Sequence, residues 1–231
     1  MDRRGQYVPV APALLLILVG LLVGLLILLE VGALQYAYGR LGISAGSALV
    51  ILALELIGSV VNIPIGWVRS APVMTVRRVV VFGAVYIVPE VLRERHTLIA
   101  VNVGGAVIPT CLSLYLLIHH SLWLSAAAAT VIVAVAVRLV ARPIPGLGVA
   151  VPMFFPGVSA ALAGAVLTAP AHTAAVAFIS GTCGTLIGAD LLTLHRIGDL
   201  GAPVASIGGA GTFDGIFVSG IIAVLIVALR G

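Results

Sequence analysis

Long apolar runs alternate with short polar connections along this chain, and the length of the runs is the first structural signal. A helix that crosses the ~30 Å hydrocarbon core of a bilayer needs roughly 20 apolar residues. Seven runs meet or approach this length. We therefore predict seven transmembrane helices, at about 8–30, 42–66, 97–118, 122–140, 147–168, 171–191 and 205–229.

One further apolar stretch, residues 76–92, is short and rich in valine. As a helix it would be an eighth span, whereas as strands it would lie outside the bilayer, because open strands leave backbone groups unpaired in lipid. The arginines favour seven spans, since short cytoplasmic loops carry an excess of basic residues. With seven spans and the N-terminus inside, only Arg40 and Arg230 of the 12 arginines fall on the outer side.

The predicted fold class is therefore an all-α polytopic integral membrane protein with about seven transmembrane helices, N-in and C-out. Residues 1–231 form a single transmembrane domain, and about 67–96 is a short cytoplasmic β-like hairpin within it. The expected location is the cell inner (cytoplasmic) membrane, as a multi-pass protein. Membrane lipids are the expected partners, and a homo-oligomer is compatible with the pattern.

The composition supports a membrane protein and narrows the chemistry. The chain is 61% hydrophobic and 9% charged, whereas a soluble domain carries about 25% charged residues. Cytoplasmic loops account for the net charge of +4, so no nucleic-acid partner is predicted. Cys111 and Cys183 lie in apolar runs and predict neither a disulfide nor a metal site. His119 and His120 are interpreted as solvent-facing turn residues without a third ligand nearby in sequence, and no cofactor is expected.

Acidic residues inside the apolar runs are the candidate chemistry. Each costs at least ~2.5–3.5 kcal/mol at the centre of a membrane helix, so such residues usually face a bundle interior or a wet cavity. Glu55 lies in the second run, Asp190 ends the sixth, and Asp214 lies in the seventh. If the last helix starts near Gly211, the two aspartates approach at similar depth. Two close carboxyl groups share a proton, which is the arrangement of aspartic proteases.

The segment GAGTFDGIF (209–217) resembles the Gly-x-Gly-Asp motif of the presenilin, signal peptide peptidase and prepilin peptidase intramembrane aspartyl proteases. The resemblance implies a catalytic pair, Asp190 and Asp214, that hydrolyses peptide bonds of a transmembrane peptide substrate. It departs from the motif at Phe213, where the family has Gly, and at Ala189, where the family has Tyr. Residues that the resemblance places in the substrate cleft are Pro12, Ala13, Leu14, Gly211 and Phe213, the first three through a Pro-Ala-Leu motif that is C-terminal in presenilin.

The chain as a whole resembles a prokaryotic family of uncharacterised polytopic membrane proteins. The segments NVGGAVIP, GTLIGADLL and SIGGAGTFDGIF carry this resemblance. It implies no activity.

An ion- or proton-coupled small-solute transporter or channel is the alternative function. The segments NIP (62–64), VNVGGAVIP (101–109), VPMFFPG (151–157) and SIGGAG (206–211) interrupt apolar runs, and discontinuous helices form the substrate sites of many transporters. The acids would then lie at several depths along a path instead of within about 5 Å of each other. A third alternative is purely structural, with each acid capping a helix or reaching the membrane surface. Residues that would line the path are Glu55, Asn62, Asn102, Asp190 and Asp214.

Overall fold

The computed structural model describes residues 12–70, 73–81, 84–92, 95–144, 148–200, 204–209 and 215–229. Within these ranges the protein is mostly helical and has a small sheet. The α-helices are α1 (Pro12–Arg40), α2 (Ala45–Gly58), α3 (Ile108–His119), α4 (Trp123–Val140), α5 (Phe155–Leu167), α6 (Thr173–Thr185) and α7 (Gly215–Ala228).

In the described part of the chain, three helical stretches are long and apolar enough to cross a membrane: Val19–Arg40, Trp123–Val140 and Pro170–Gly198. The last one combines α6 with a short 3-10 turn before it, a π-helical turn after it (Leu186–Asp190) and a 3-10 helix (Leu191–Leu200). The prediction of a helical chain is thus confirmed in its main part, and the three stretches are candidate membrane spans. That the protein crosses the membrane, that all seven helices do so, and their orientation stay predictions.

The helix α6 is the centre of the bundle. It packs against α3, α4, α5 and α7, and nearly all of its residues are buried. Small residues allow this close approach, because a side chain would separate the helix axes. A Cβ atom on Gly181 would lie 3.0 Å from the Ser219 carbonyl oxygen of α7, and one on Gly164 of α5 would lie 3.1 Å from the Ala177 backbone nitrogen.

The first predicted helix ends ten residues too early. It was expected to end at about residue 30, but α1 continues to Arg40, and the chain turns at Gly42 with φ +78°. The stretch after Glu30 contains polar residues, which suggested a loop, but it contains no proline. Since a proline would break the helix and nothing else there does, α1 runs on and places Glu30 inside the candidate span Val19–Arg40.

Four strands lie between α2 and α3: β1 (Asn62–Ser70), β2 (Val73–Val81), β3 (Ala84–Leu92) and β4 (Arg95–Asn102). Two of them, β1 and β4, replace parts of the helices predicted at 42–66 and 97–118. The interpretation of 76–92 as strands instead of an eighth helix is confirmed, since β2 and β3 form an antiparallel hairpin. The strand region runs from Asn62 to Asn102 and is thus longer than the predicted 67–96. Pro64 disfavours a helix at the start of β1, and β-branched residues alternate along β4.

The remaining three described strands are short, and one of them, β7, joins the sheet that contains β1 and β4. Strands β5 (Arg142–Ile144) and β6 (Gly148–Ala150) pair with each other. Strand β7 (Val204–Ile207), predicted as the start of the last helix, runs parallel to β4 instead. The resulting three-stranded sheet has the order β1-β4-β7, so β1 and β7 are its edges.

Connection lengths place the sheet at one end of the bundle. Short turns join α1 to α2, α3 to α4, and α5 to α6, which is typical of antiparallel helix pairs. The longer connections, which carry all seven described strands, join the opposite helix ends. We call these two ends the turn end and the sheet end. The cytoplasmic location of the sheet end stays a prediction.

Candidate polar site at the sheet end

Asn102 is the hub of a hydrogen-bonded network where β4 meets α3. Its side chain is 1% exposed, and its Oδ1 accepts the Gly105 N–H at 2.7 Å. Its Nδ2 donates to the Ser59 carbonyl oxygen at 2.7 Å and to Asn62 Oδ1 at 3.1 Å. Asn102 therefore caps the π-helical turn Val103–Val107 that precedes α3 and joins it to the end of α2.

The network continues from Asn102 towards the surface. Asn62 Oδ1 also accepts the Ser206 hydroxyl at 2.6 Å, although the two residues are 144 positions apart. Ser206 lies in β7, where it is paired with Ala100 of β4. Asn62 is exposed, Ser206 is half-buried and Asn102 is buried. A chain of polar groups thus leads from solvent at the sheet edge to the base of α3.

Asp190 lies beside this network, at the end of the π-helical turn that follows α6. Its Oδ2 accepts the Gly208 N–H at 2.9 Å. Gly208 and the next residue, Gly209, have φ values of +86° and +77°, which favour glycine because it lacks a Cβ. A Cβ on Gly208 would lie 2.6 Å from the Ala106 side chain. The Asp190 carboxylate therefore holds a glycine turn that is packed against the Val103–Val107 turn.

The backbone of Glu55 packs against the Val103–Val107 turn, whereas its carboxylate contacts Tyr38 of α1. A Cβ on Gly104 would overlap the Glu55 carbonyl oxygen and the Ser59 backbone nitrogen, so α2 and the π-helical turn touch through their backbones. The Glu55 side chain is 4% exposed, and its Oε2 accepts the Tyr38 hydroxyl of α1 at 3.0 Å. Its Oε1 is buried without a hydrogen-bond partner in the described part of the chain.

The structure thus brings Asn62, Asn102 and Asp190 to one end of the bundle. Asp214 lies outside the described residues, as do Gly211 and Phe213, so the Asp190–Asp214 pair stays a prediction. Pro12, Ala13 and Leu14 form the first turn of α1, and their side chains lie outside the described part. All predicted roles in substrate binding stay predictions, and the hydrogen bonds of Asn102 give it a structural role as well.

Glu30 is an acid that sequence reasoning missed. It lines a cleft of about 290 Å³ between α1 and α7, together with Ala33, Leu34 and Met153. The missed signal was the absence of a proline after Glu30, which extends α1 and puts this acid inside the candidate span Val19–Arg40. The α7 side of the cleft comes from its first two turns, through Phe217, Val218, Ile221 and Ile222.

A histidine cluster lies at the turn end, where the sequence had indicated His119 and His120 but not their neighbour His172. The ring centroids of His119 and His120 are 5.0 Å apart, and those of His120 and His172 are 5.5 Å apart. Burial, and then the neighbouring imidazoles, lower the pKa of His120 below its usual value. Among the described residues, no group of three or more His, Cys, Asp or Glu is arranged to hold a metal ion. Cys111 and Cys183 are free thiols.

The fold and this site define a mostly helical protein with membrane-type helices, in which interrupted helices and a small sheet enclose polar side chains. The chain belongs to the family described as protein of unknown function (DUF1614), which matches residues 56–226. The matched region contains Asn102 and Asp190, whereas Tyr38 and Glu55 precede it. No curated protein and no solved structure matches the chain. The expected membership of an uncharacterised family is therefore confirmed.

Proposed function

We propose that this protein is an intramembrane aspartyl protease-like enzyme of the inner membrane, in which Asp190 and Asp214 hydrolyse peptide bonds of membrane-embedded substrates. The observation that carries the proposal is the hydrogen bond from the Gly208 N–H to Asp190 Oδ2. This bond joins Asp190, at the end of the π-helical turn that follows α6, to Gly208. Asp214 follows Gly208 by six residues along the chain. Six residues span at most about 20 Å, so the length of the chain allows Asp214 to approach Asp190. The likeness of GAGTFDGIF to the Gly-x-Gly-Asp motif supports the same pair.

The proposed chemistry needs one proton shared between the two carboxyl groups. The ionised carboxylate takes a proton from a water molecule, whose oxygen attacks the peptide carbonyl carbon. The protonated carboxyl donates its proton to the carbonyl oxygen. Collapse of the tetrahedral intermediate returns the proton on that oxygen to one carboxylate, and the amine leaves with the proton taken from water.

Two features of the described fold suit a peptide substrate. The cleft between α1 and α7 lies beside the first turns of the helix that follows Asp214, where a membrane-embedded segment would enter from the side. Strand β7 is an edge of its sheet, and its far end leads to Gly208. An extended peptide can add to an exposed sheet edge through backbone hydrogen bonds, which would hold the scissile bond near Asp190.

The test combines geometry with activity. Cysteines replacing Asp190 and Asp214, in a C111S/C183S background, are treated with a short bifunctional thiol reagent. Efficient crosslinking is expected, and its absence would refute the pair whatever the substrate.

The activity arm uses protein reconstituted with a pool of transmembrane peptides, analysed by mass spectrometry. We expect D190N and D214N each to abolish cleavage, because each carboxyl has a separate role. The matched control is E55Q, which removes an acid outside the pair and is expected to retain cleavage. Cleavage that survives D190N or D214N would contradict the proposal.

A specific observation also favours the transport alternative. Glu55 Oε1 is buried without a partner in the described part of the chain, and a buried acid inside a membrane helix often marks an ion or proton path. The acids Glu30, Glu55 and Asp190 lie on three different helical segments, as a path through the bundle requires. In proteoliposomes, ion or proton flux that is lost in E55Q, together with a native chain that cleaves no peptide, would favour transport over proteolysis. Cleavage that is kept in E55Q and lost in D190N and D214N would favour the protease.

A further inference from the structure

We propose that the cleft at the turn end, between α1, α5 and α7, binds an anionic phospholipid whose phosphate is held by Arg40. The cavity has a volume of about 330 Å³. This lies at the lower end of the range of about 300–1,000 Å³ typical of ligand pockets. The cleft is remote from the polar site at the sheet end, so the proposal does not depend on the proposed activity.

The polar rim of the cleft lies at the level where lipid headgroups are expected. Arg40 is the last residue of α1 and ends the candidate span Val19–Arg40. Thr168 directly follows α5, and Pro170 begins the next short turn. All three residues line the cleft. A guanidinium group at a helix end reaches the membrane surface readily, so Arg40 is placed to meet a headgroup.

The wall below the rim suits an acyl chain. Val158, Ala161, Leu162 and Ala165 line it from one face of α5, and with a rise of about 1.5 Å per residue they extend roughly 10 Å along the helix. The two alanines leave room that larger side chains would fill. The opposite wall comes from Ile226 and Val227 at the end of α7.

The charge of the cleft selects the headgroup. Arg40 is the charged residue among the described side chains that line it, and arginine binds phosphate through two parallel hydrogen bonds. A zwitterionic lipid would bring its ammonium group close to Arg40, and the described lining contains no acid to compensate. An anionic phospholipid avoids this repulsion and is therefore preferred.

Such a lipid would fasten α1 to the bundle. Among the described side chains of α1, the fully buried ones, Ala37 and Tyr38, lie near its end, whereas Val19 and Leu21 are 48% and 66% exposed. A lipid in the cleft would bridge the packed end of α1 to α5 and α7. Its loss would leave that end held mainly by direct side-chain contacts.

The experiment measures which lipids the whole protein retains. Protein reconstituted in nanodiscs with equal amounts of phosphatidylglycerol and phosphatidylcholine is extracted into mild detergent, and retained lipid is quantified by native mass spectrometry. We expect several-fold enrichment of phosphatidylglycerol with the native chain and near-equal retention with R40Q. R138Q, the same change in the last turn of α4 at the sheet end, is expected to keep the enrichment.

Two further arms make the outcome decisive. A165F would fill the cleft without changing charge, and we expect it to lower the enrichment as R40Q does. Equal effects of R40Q and R138Q would show a general charge preference and overturn the proposal, as would enrichment that survives R40Q. Soluble glycerol phosphate should not displace the lipid. Displacement at millimolar concentration would mean that the site takes free phosphate esters and would overturn the phospholipid assignment.

Discussion

Replacing Asn102 by alanine tests the network that joins β4, α2 and α3. The change removes three hydrogen bonds and leaves the Gly105 N–H and the Ser59 carbonyl oxygen without the partners they have in the structure. Both residues are buried. An orphaned buried polar group costs about 1–3 kcal/mol, so the expected loss of unfolding free energy is roughly 2–6 kcal/mol.

The matched control is Asn62→Ala, because Asn62 is the same residue type and is paired directly with Asn102 in the sheet. Asn62 is exposed, so water can replace most of what its side chain offers. The variant loses two hydrogen bonds, from Asn102 and from Ser206, and at the low end of about 0.5 kcal/mol each, as suits an exposed acceptor, the expected loss is about 1 kcal/mol. The two variants should therefore differ by at least about 1 kcal/mol.

The assay is thermal and denaturant-induced unfolding in one detergent, followed by the loss of the monodisperse peak in size-exclusion chromatography. Both variants are compared with the native chain at equal protein concentration. Equal destabilisation by the two variants would contradict the placement of Asn102 as a buried hub. A native-like Asn102→Ala would contradict the cap on the π-helical turn.

Three further predictions address separate contacts. Gly104→Ala should lower the unfolding free energy by about 1–3 kcal/mol or more, because the new methyl group overlaps backbone atoms at the end of α2. The control is Gly46→Ala, which has open space around it and should be neutral or stabilising in the same unfolding assay. Tyr38→Phe should lower the unfolding free energy by about 1–3 kcal/mol, because it removes the one described hydrogen-bond donor to the buried Glu55 carboxylate. The control is Tyr36→Phe, which changes a side chain that is 52% exposed and should leave the melting temperature unchanged. The lowered pKa of His120 means that the unfolded state takes up its proton first. Stability should therefore fall as the pH drops through the usual histidine range at about 6.5, and His120→Asn should reduce this pH dependence. An identical slope in both chains would contradict the close contact of His120 with His119 and His172.

Run length and residue type predicted much of the fold. The apolar runs located seven helices, and the valine-rich stretch 76–92 was correctly separated from them as strands. Helix ends were less well predicted, because hydropathy averages over many residues while an end depends on a local breaker. No proline follows Glu30 in α1, so this helix continues to Arg40. Pro64 is a local breaker, and the residues expected to end the second helix form the start of β1 instead.

The sequence predicted which residues form the candidate site, but it did not predict their hydrogen-bond partners. Asn102 and Asp190 were selected because a polar group in an apolar run is costly, and both lie in the polar site. Their partners could not be predicted, since Ser206 meets Asn62 only through the parallel pairing of β7 with β4. The pattern along one strand shows which of its faces is buried, but it does not show which distant strand pairs with it. The same limit hid His172, which a separate turn brings to His120.

The two π-helical turns, Val103–Val107 and Leu186–Asp190, carry a consequence for how the chain tolerates insertions and deletions. A π-helical turn holds one residue more than an α-helical turn, and each residue of an α-helix turns the chain by about 100°. Deleting the residue before Asp190 in the turn Leu186–Asp190 would let the turn relax to α-helix, so the residues on either side would keep their directions and Asp190 would still face Gly208. A deletion within the regular helix α6 would instead rotate everything after it by about 100°. These two turns are thus the points where the chain tolerates a change in length by one residue while the polar side chains and the packed helices keep their directions.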